Sequence, residues 1–153
     1  MKNREFLQLL YGKLKTGALS VSYFKNKRLF TKWFSHDELD KMSDFIGKVG
    51  QSCDTYINVN PRAKPLPNDG RGEKKDISVI VGYYHDYDLK DSAHSEKCLP
   101  ETADELLAFI WELPRKPSAI ILSGHGIHCY YLFNEPVVLT KRNENSPSSS
   151  GRG

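Results

Sequence analysis

No run of apolar residues in this chain approaches the roughly 20 needed to cross a bilayer as a helix, so a membrane-spanning helix is not expected. The N-terminal M-K-N-R-E-F-L-Q-L-L is broken by Glu5 and Gln8, and no small-residue cleavage site follows it, which argues against a secretion signal. Cysteine is scarce. Cys53, Cys98 and Cys129 are odd in number, far apart and without a C-x-x-C, so neither a disulfide scaffold nor a zinc ribbon is expected and a reducing, cytoplasmic setting is. There is no internal repeat. What remains, 39% hydrophobic and 27% charged over 153 residues, is the composition of one globular domain of common size.

Charge is unevenly placed. Residues 1–32 carry eight basic side chains against the single acid Glu5, a balance of +7, which leaves −4 for the rest of a chain whose total is +3. Such a division suits contact with a phosphate backbone at one end and metal binding at the other; lysines solvated on a surface helix and hairpin would give it too.

Hydrophobic periodicity predicts a helix over residues 3–15, with Gly17 as its stop, and a hairpin from A-L-S-V-S-Y-F and Leu29 to Phe34 across a basic turn. Ser35 and Glu38 read as a capping box opening a helix whose stripe is Leu39, Met42, Phe45, Ile46 and Val49, ended by Gly50. Thr55 to Val59 reads as a short strand. Residues 60–75 hold three prolines, two glycines and five basic residues with no periodicity, the pattern of a long loop. A strand from Val79, a helix from about Pro100 to Leu113 with Trp111 among its inward candidates, and a second hairpin around G-H-G follow. Residues 141–153 have no apolar residue and are expected to be disordered. Strands, hairpins and helices so mixed predict an α+β fold, a mixed or antiparallel sheet with flanking helices, over residues 1–140.

The chemistry concentrates in V-I-V-G-Y-Y-H-D-Y-D, residues 79–88. Side chains two apart on a strand share a face, so Asp86 and Asp88 should project together, while His85 points to the other side. Two adjacent carboxylates repel unless a cation compensates them, and a hard divalent metal such as Mg2+ or Mn2+ is held in this way. The hairpin S-G-H-G-I-H offers the complement. Ser123 and His128 should face each other across the turn, and Gly124 and Gly126 can adopt positive φ and let another group approach the backbone closely, together making a cradle for an anion or triphosphate. Tyr83, Tyr84, Tyr130 and Tyr131 are candidates for stacking on bases or for packing within the sheet, and Arg71, Lys74 and Lys75 for weak contacts to template phosphates or for a solvated loop. His125, His128 and Cys129 supply too few ligands for a structural zinc site. The His125–His128 spacing is one residue too long for the metal pair of a rolling-circle nicking protein.

In order and spacing, R-G-E-K-K-D-I-S-V-I-V-G-Y-Y-H-D-Y-D, L-P-E-T-A-D-E-L-L and K-P-S-A-I-I-L-S-G-H-G-I-H-C-Y-Y-L-F-N-E-P resemble the archaeo-eukaryotic primase superfamily, most of all the primase-polymerase domains of phage, plasmid and other mobile-element replication proteins. The resemblance spans roughly residues 50–137. It implies metal ligation by Asp86 and Asp88, contact of Ser123, Gly124 and His128 with the triphosphate of an incoming nucleoside triphosphate, and primer synthesis or extension on a DNA template, with a replicative helicase as a further partner. It also implies a third acidic motif and an Arg-rich segment. After Pro136 the sequence holds V-V-L-T and the polar tail, with Glu135, Glu144 and Asp91 poorly placed as substitutes, so the chain is expected to be the incomplete N-terminal part of such a domain. A DNA-binding module of a replication initiator, without catalysis, is the alternative expectation.

Overall fold

A computed structural model describes residues 2–89, 100–124 and 126–140, which form an α+β fold with three helices and two small antiparallel sheets. They fall into two compact units, residues 2–81 with 135–140, and residues 82–134. Cys98, Asp91, His125 and the polar tail from Lys141 lie outside the described residues.

In the first unit, helix α1 (Asn3–Tyr11) is followed by strands β1 (Ala18–Lys25) and β2 (Arg28–Ser35), helix α2 (Leu39–Val49) and strand β3 (Thr55–Ile57). The expected first helix is shorter than its apolar spacing suggests. Gly12 caps it, its N–H bonding the Gln8 carbonyl at 2.9 Å, and Leu14 is buried from the turn that follows. Gly17 serves β1 instead: at φ +113 it takes a conformation that L side chains rarely adopt.

β1 and β2 pair antiparallel from Ala18↔Ser35 to Lys25↔Arg28, and β3 adds to the other edge of β1. The hairpin loop is Asn26-Lys27, both at positive φ, 51° and 63°, the two-residue turn whose twist matches the strands it joins. The Ser35–Glu38 box is half realised. Glu38 Oε2 accepts from the Ser35 N–H at 3.0 Å, but these residues make a turn ahead of a helix that starts at Leu39.

The loop over residues 60–75 is tied at both ends. Arg62 bridges Ala18 and Ile77, and Asp69 accepts from the Thr31 N–H at 3.1 Å, occupying the otherwise open edge of β2. Asn58 substitutes for further strand. Its Oδ1 accepts from the Ser20 N–H at 2.6 Å while its carbonyl accepts from the buried Tyr11 hydroxyl at 2.6 Å.

In the second unit, β4 (Val79–Asp88), β6 (Gly126–Val138) and β5 (Ala119–Leu122) form a sheet in the order β4-β6-β5, the first residues of β4 and the last of β6 belonging to the first unit. Helix α3 (Ala103–Glu112) covers one face. It begins later than Pro100 because Thr102 caps it, the Thr102 hydroxyl accepting from the Glu105 N–H at 3.2 Å. Leu106 and Ile110 pack on Ile127, Cys129 and Tyr131, whereas Trp111, one residue past the inward stripe, is 54% exposed and takes no part in that core.

Candidate functional site

The strand β4 extends far enough to include both carboxylates, and its alternation sorts its side chains into two sets. Tyr83, His85 and Tyr87 lie on the α3 side. Tyr83 stacks on Tyr131 with ring centroids 5.1 Å apart, His85 meets the same ring at 6.0 Å, and Tyr87 meets Phe109 at 6.2 Å. His85 is therefore an aromatic packing residue on the face opposite the acids, as its position in the alternation predicts. Tyr84, Asp86 and Asp88 form the other set, and all three are exposed. Two residues of strand separate the two carboxylates by about 7 Å along the chain.

β6 places its own alternate residues beside them. His128 Nε2 lies 3.3 Å from Asp86 Oδ1, and Tyr130 stacks on Tyr84 with centroids 5.7 Å apart. Tyr84 and His128 rings are 6.4 Å apart. This neighbourhood depends on Gly126, where a β-carbon would overlap the Tyr87 carbonyl oxygen and stand 3.2 Å from the Asp88 Cα. Gly126 thus allows β6 to approach the acidic end of β4, and Gly124 is the residue of the turn at positive φ, +88°. Both properties are expected of both glycines, and each shows only one: Gly126 is not at positive φ, and it is Gly126 alone of the two that the other strand approaches.

The hairpin departs from expectation in one respect. His128 is paired with Ile121, not with Ser123. Ser123 closes the turn, its N–H and its hydroxyl both donating to the Gly126 carbonyl at 3.0 and 3.1 Å. The imidazole and hydroxyl expected to face each other are two residues out of step, and His128 instead contacts Asp86. Sequence reasoning assigned those two side chains to separate tasks and missed their contact. No local signal reports it, because it arises from the pairing of β4 with β6.

The electrostatics of this face are set by burial as well as by charge. Tyr130 is buried, and burial first, then Tyr84 and Asp86, push its phenol up to about 12 from its ordinary 10. The phenol stays neutral across the physiological range, so negative charge here comes from the carboxylates. Because the folded value is raised, this contribution to stability is complete below pH 10 and is lost as pH rises toward 12. Tyr130→Phe should remove about 2 kcal/mol of the stability lost between pH 8 and pH 12, read from urea unfolding midpoints at the two pH values. Cys129, next to His128 in sequence, points into the core and is fully buried, its thiol raised by that burial, so it cannot join His128 in a zinc site.

Two exposed carboxylates on one face suit a hard divalent cation, which keeps several waters and takes its remaining ligands from phosphate oxygens. Among the described residues no group of three or more His, Cys, Asp or Glu converges as a complete protein cage. Arg71, Lys74 and Lys75 are exposed in the first unit. Lys75 pairs with Glu73 at 3.2 Å, and the Arg71 carbonyl accepts from Arg62 at 3.3 Å. No helix is long and apolar enough to cross a membrane among the described residues. Neither the protein-family models, nor the curated proteins, nor the solved structures compared with this chain give a match.

Proposed function

We propose that this chain is part of a metal-dependent nucleotidyl-transfer domain acting in DNA replication, of the primase-polymerase kind that its sequence resembles. The observation that supports the reading best is the cluster on the face of the second sheet away from α3, where Asp86 and Asp88 share one side of β4 and His128 stands 3.3 Å from Asp86. Mg2+ or Mn2+ held by the two carboxylates would neutralise phosphate charge and favour attack of a 3′-hydroxyl on an α-phosphate. Asp86 and Asp88 supply the negative charge that selects a cation. His128, in contact with Asp86, would donate to a phosphate oxygen of a bound nucleoside triphosphate. Gly124, with nothing among the described residues within 4 Å of where a β-carbon would sit, offers a phosphate group room at the turn. A DNA template and a replicative helicase complete the proposed set of partners.

Binding of a nucleoside triphosphate in Mn2+, followed by isothermal titration, tests the reading on the chain itself. His128→Ala should weaken binding about tenfold or more, in line with loss of one charge-assisted contact. Asp86→Ala should abolish the dependence on Mn2+. Nucleotide affinity that is unchanged in both variants would refute the assignment.

A second reading, favoured by the eight basic side chains of residues 1–32 against the single acid Glu5, is a DNA-binding module of a replication initiator without catalysis. Salt-sensitive DNA binding with no affinity for nucleotides in Mn2+ would support it over the first.

A further inference from the structure

The basic N-terminal third lies in the first unit. In β2, residues 28, 30, 32 and 34 share one face and alternate cation and ring: Arg28, Phe30, Lys32, Phe34. The alternation is realised as contact. Arg28 Cζ lies 4.9 Å from the centre of the Phe30 ring, and Lys32 Nζ lies 4.7 Å from Phe45 of α2 and 5.5 Å from Phe34. On α2, positions 41, 44, 45 and 48 fall on one helical face. With Lys32 and Phe34 they line a groove of about 480 Å³, to which Lys41 and Lys48 contribute further cations.

We propose that this groove, with the row of cations along β2, binds the phosphodiester backbone of DNA without reading its bases. Lys32 is held by two ring faces and makes no ion pair among the described residues. A ring orders an ammonium group without cancelling its charge, so that charge stays available to an external anion, and less rotamer freedom is lost on binding. Two of the cations are partly offset in exposed pairs, Lys41 by Glu38 at 2.7 Å and Arg28 by Asp69 at 3.4 Å, pairs of a kind that contribute little in water and that an external phosphate can displace. Counting Lys25 and Lys27 at the hairpin tip, six cations stand against Asp37, Glu38, Asp44 and Asp69. The rings do not suit base stacking. Phe34 is buried, Phe30 and Phe45 are half-buried, and the faces they show are occupied by Arg28 and Lys32. From Arg28 to Lys32 is about 14 Å of strand. At one phosphate per about 3.4 Å of each DNA strand, that span reaches several phosphates.

The inference shares only the DNA ligand with the proposed function, and its test contains neither metal nor nucleotide. Affinity of the full chain for two unrelated 20-base-pair duplexes is measured by fluorescence anisotropy across a series of salt concentrations. For Arg28→Gln/Lys32→Gln/Lys48→Gln the dependence of log K on log salt should flatten by about 2 to 3 on both duplexes, close to 0.9 for each phosphate contact removed. The charge-keeping variant Arg28→Lys/Lys32→Arg/Lys48→Arg should hold the wild-type slope. The proposal is overturned by absent DNA binding, by an unchanged slope in the glutamine variant, or by a loss confined to one duplex. Loss of slope in the charge-keeping variant overturns it as well, since the effect would then be structural. So does a glutamine variant that loses binding to phosphatidylserine vesicles while keeping its DNA slope.

Discussion

On the proposed function, replacing Asp86 and Asp88 together by alanine should lower metal-dependent primer synthesis at least about a thousandfold, because cation-mediated charge stabilisation contributes several kcal/mol and each 1.36 kcal/mol is a factor of ten in rate. The fold should survive the change. Both side chains are exposed, and the contact of Asp86 with the half-buried His128 imidazole is of a kind that contributes about 0–1 kcal/mol. A urea midpoint near that of the wild type would therefore accompany the loss of synthesis. Asp88→Asn, which keeps the shape and removes the charge, should behave like the double variant if charge is what matters. Primer synthesis at the wild-type rate in the double variant would show that Asp86 and Asp88 are not the metal ligands, whatever the sequence resembles.

A second large effect is expected at a residue with no functional group. Gly126→Ala would drive a β-carbon into the Tyr87 carbonyl oxygen and against the Asp88 Cα. Backbone on a paired strand cannot turn aside as a flexible side chain can, so β6 must move away from β4. A loss of about 3 kcal/mol or more is expected in urea unfolding, at the upper end for an overpacked site. Nucleotide binding should fall with it, since the same approach of the strands brings His128 to Asp86. Gly124→Ala provides the contrast two residues earlier. Its φ of +88° is unfavourable for alanine, but the added carbon meets nothing within 4 Å, so about 1–2 kcal/mol is expected. If the Gly124 variant proved the more damaging, the close approach of β4 and β6 would not be what requires Gly126.

Much of this architecture was legible because it depends on short-range periodicity. The alternation in A-L-S-V-S-Y-F, the stripe Leu39–Met42–Phe45 and the turn residues around Gly124 each correspond to an element found where its pattern lies. Errors fell where a second residue competed for the same task. Gly12 ended α1 ahead of Gly17, Thr102 capped α3 ahead of Pro100, and Trp111 turned outward because Leu106 and Ile110 already define the buried stripe. The hold of Asp69 on the edge of β2 joins residues 38 apart in sequence, a separation no local pattern encodes.

For the candidate site the division is sharper. The order of residues in β4 alone determines that Asp86 and Asp88 share a face and that His85 does not, since a strand has a strict period of two. It does not determine what stands beside them. That depends on the register of β6, which follows from the burial of Ile127, Cys129 and Tyr131 under α3 and from the room left at Gly126. A shift of one residue would turn His128 into that core and Cys129 toward the acids. The tertiary structure therefore decided that His128 meets Asp86 while Ser123 closes its own turn, because register is set by non-local packing.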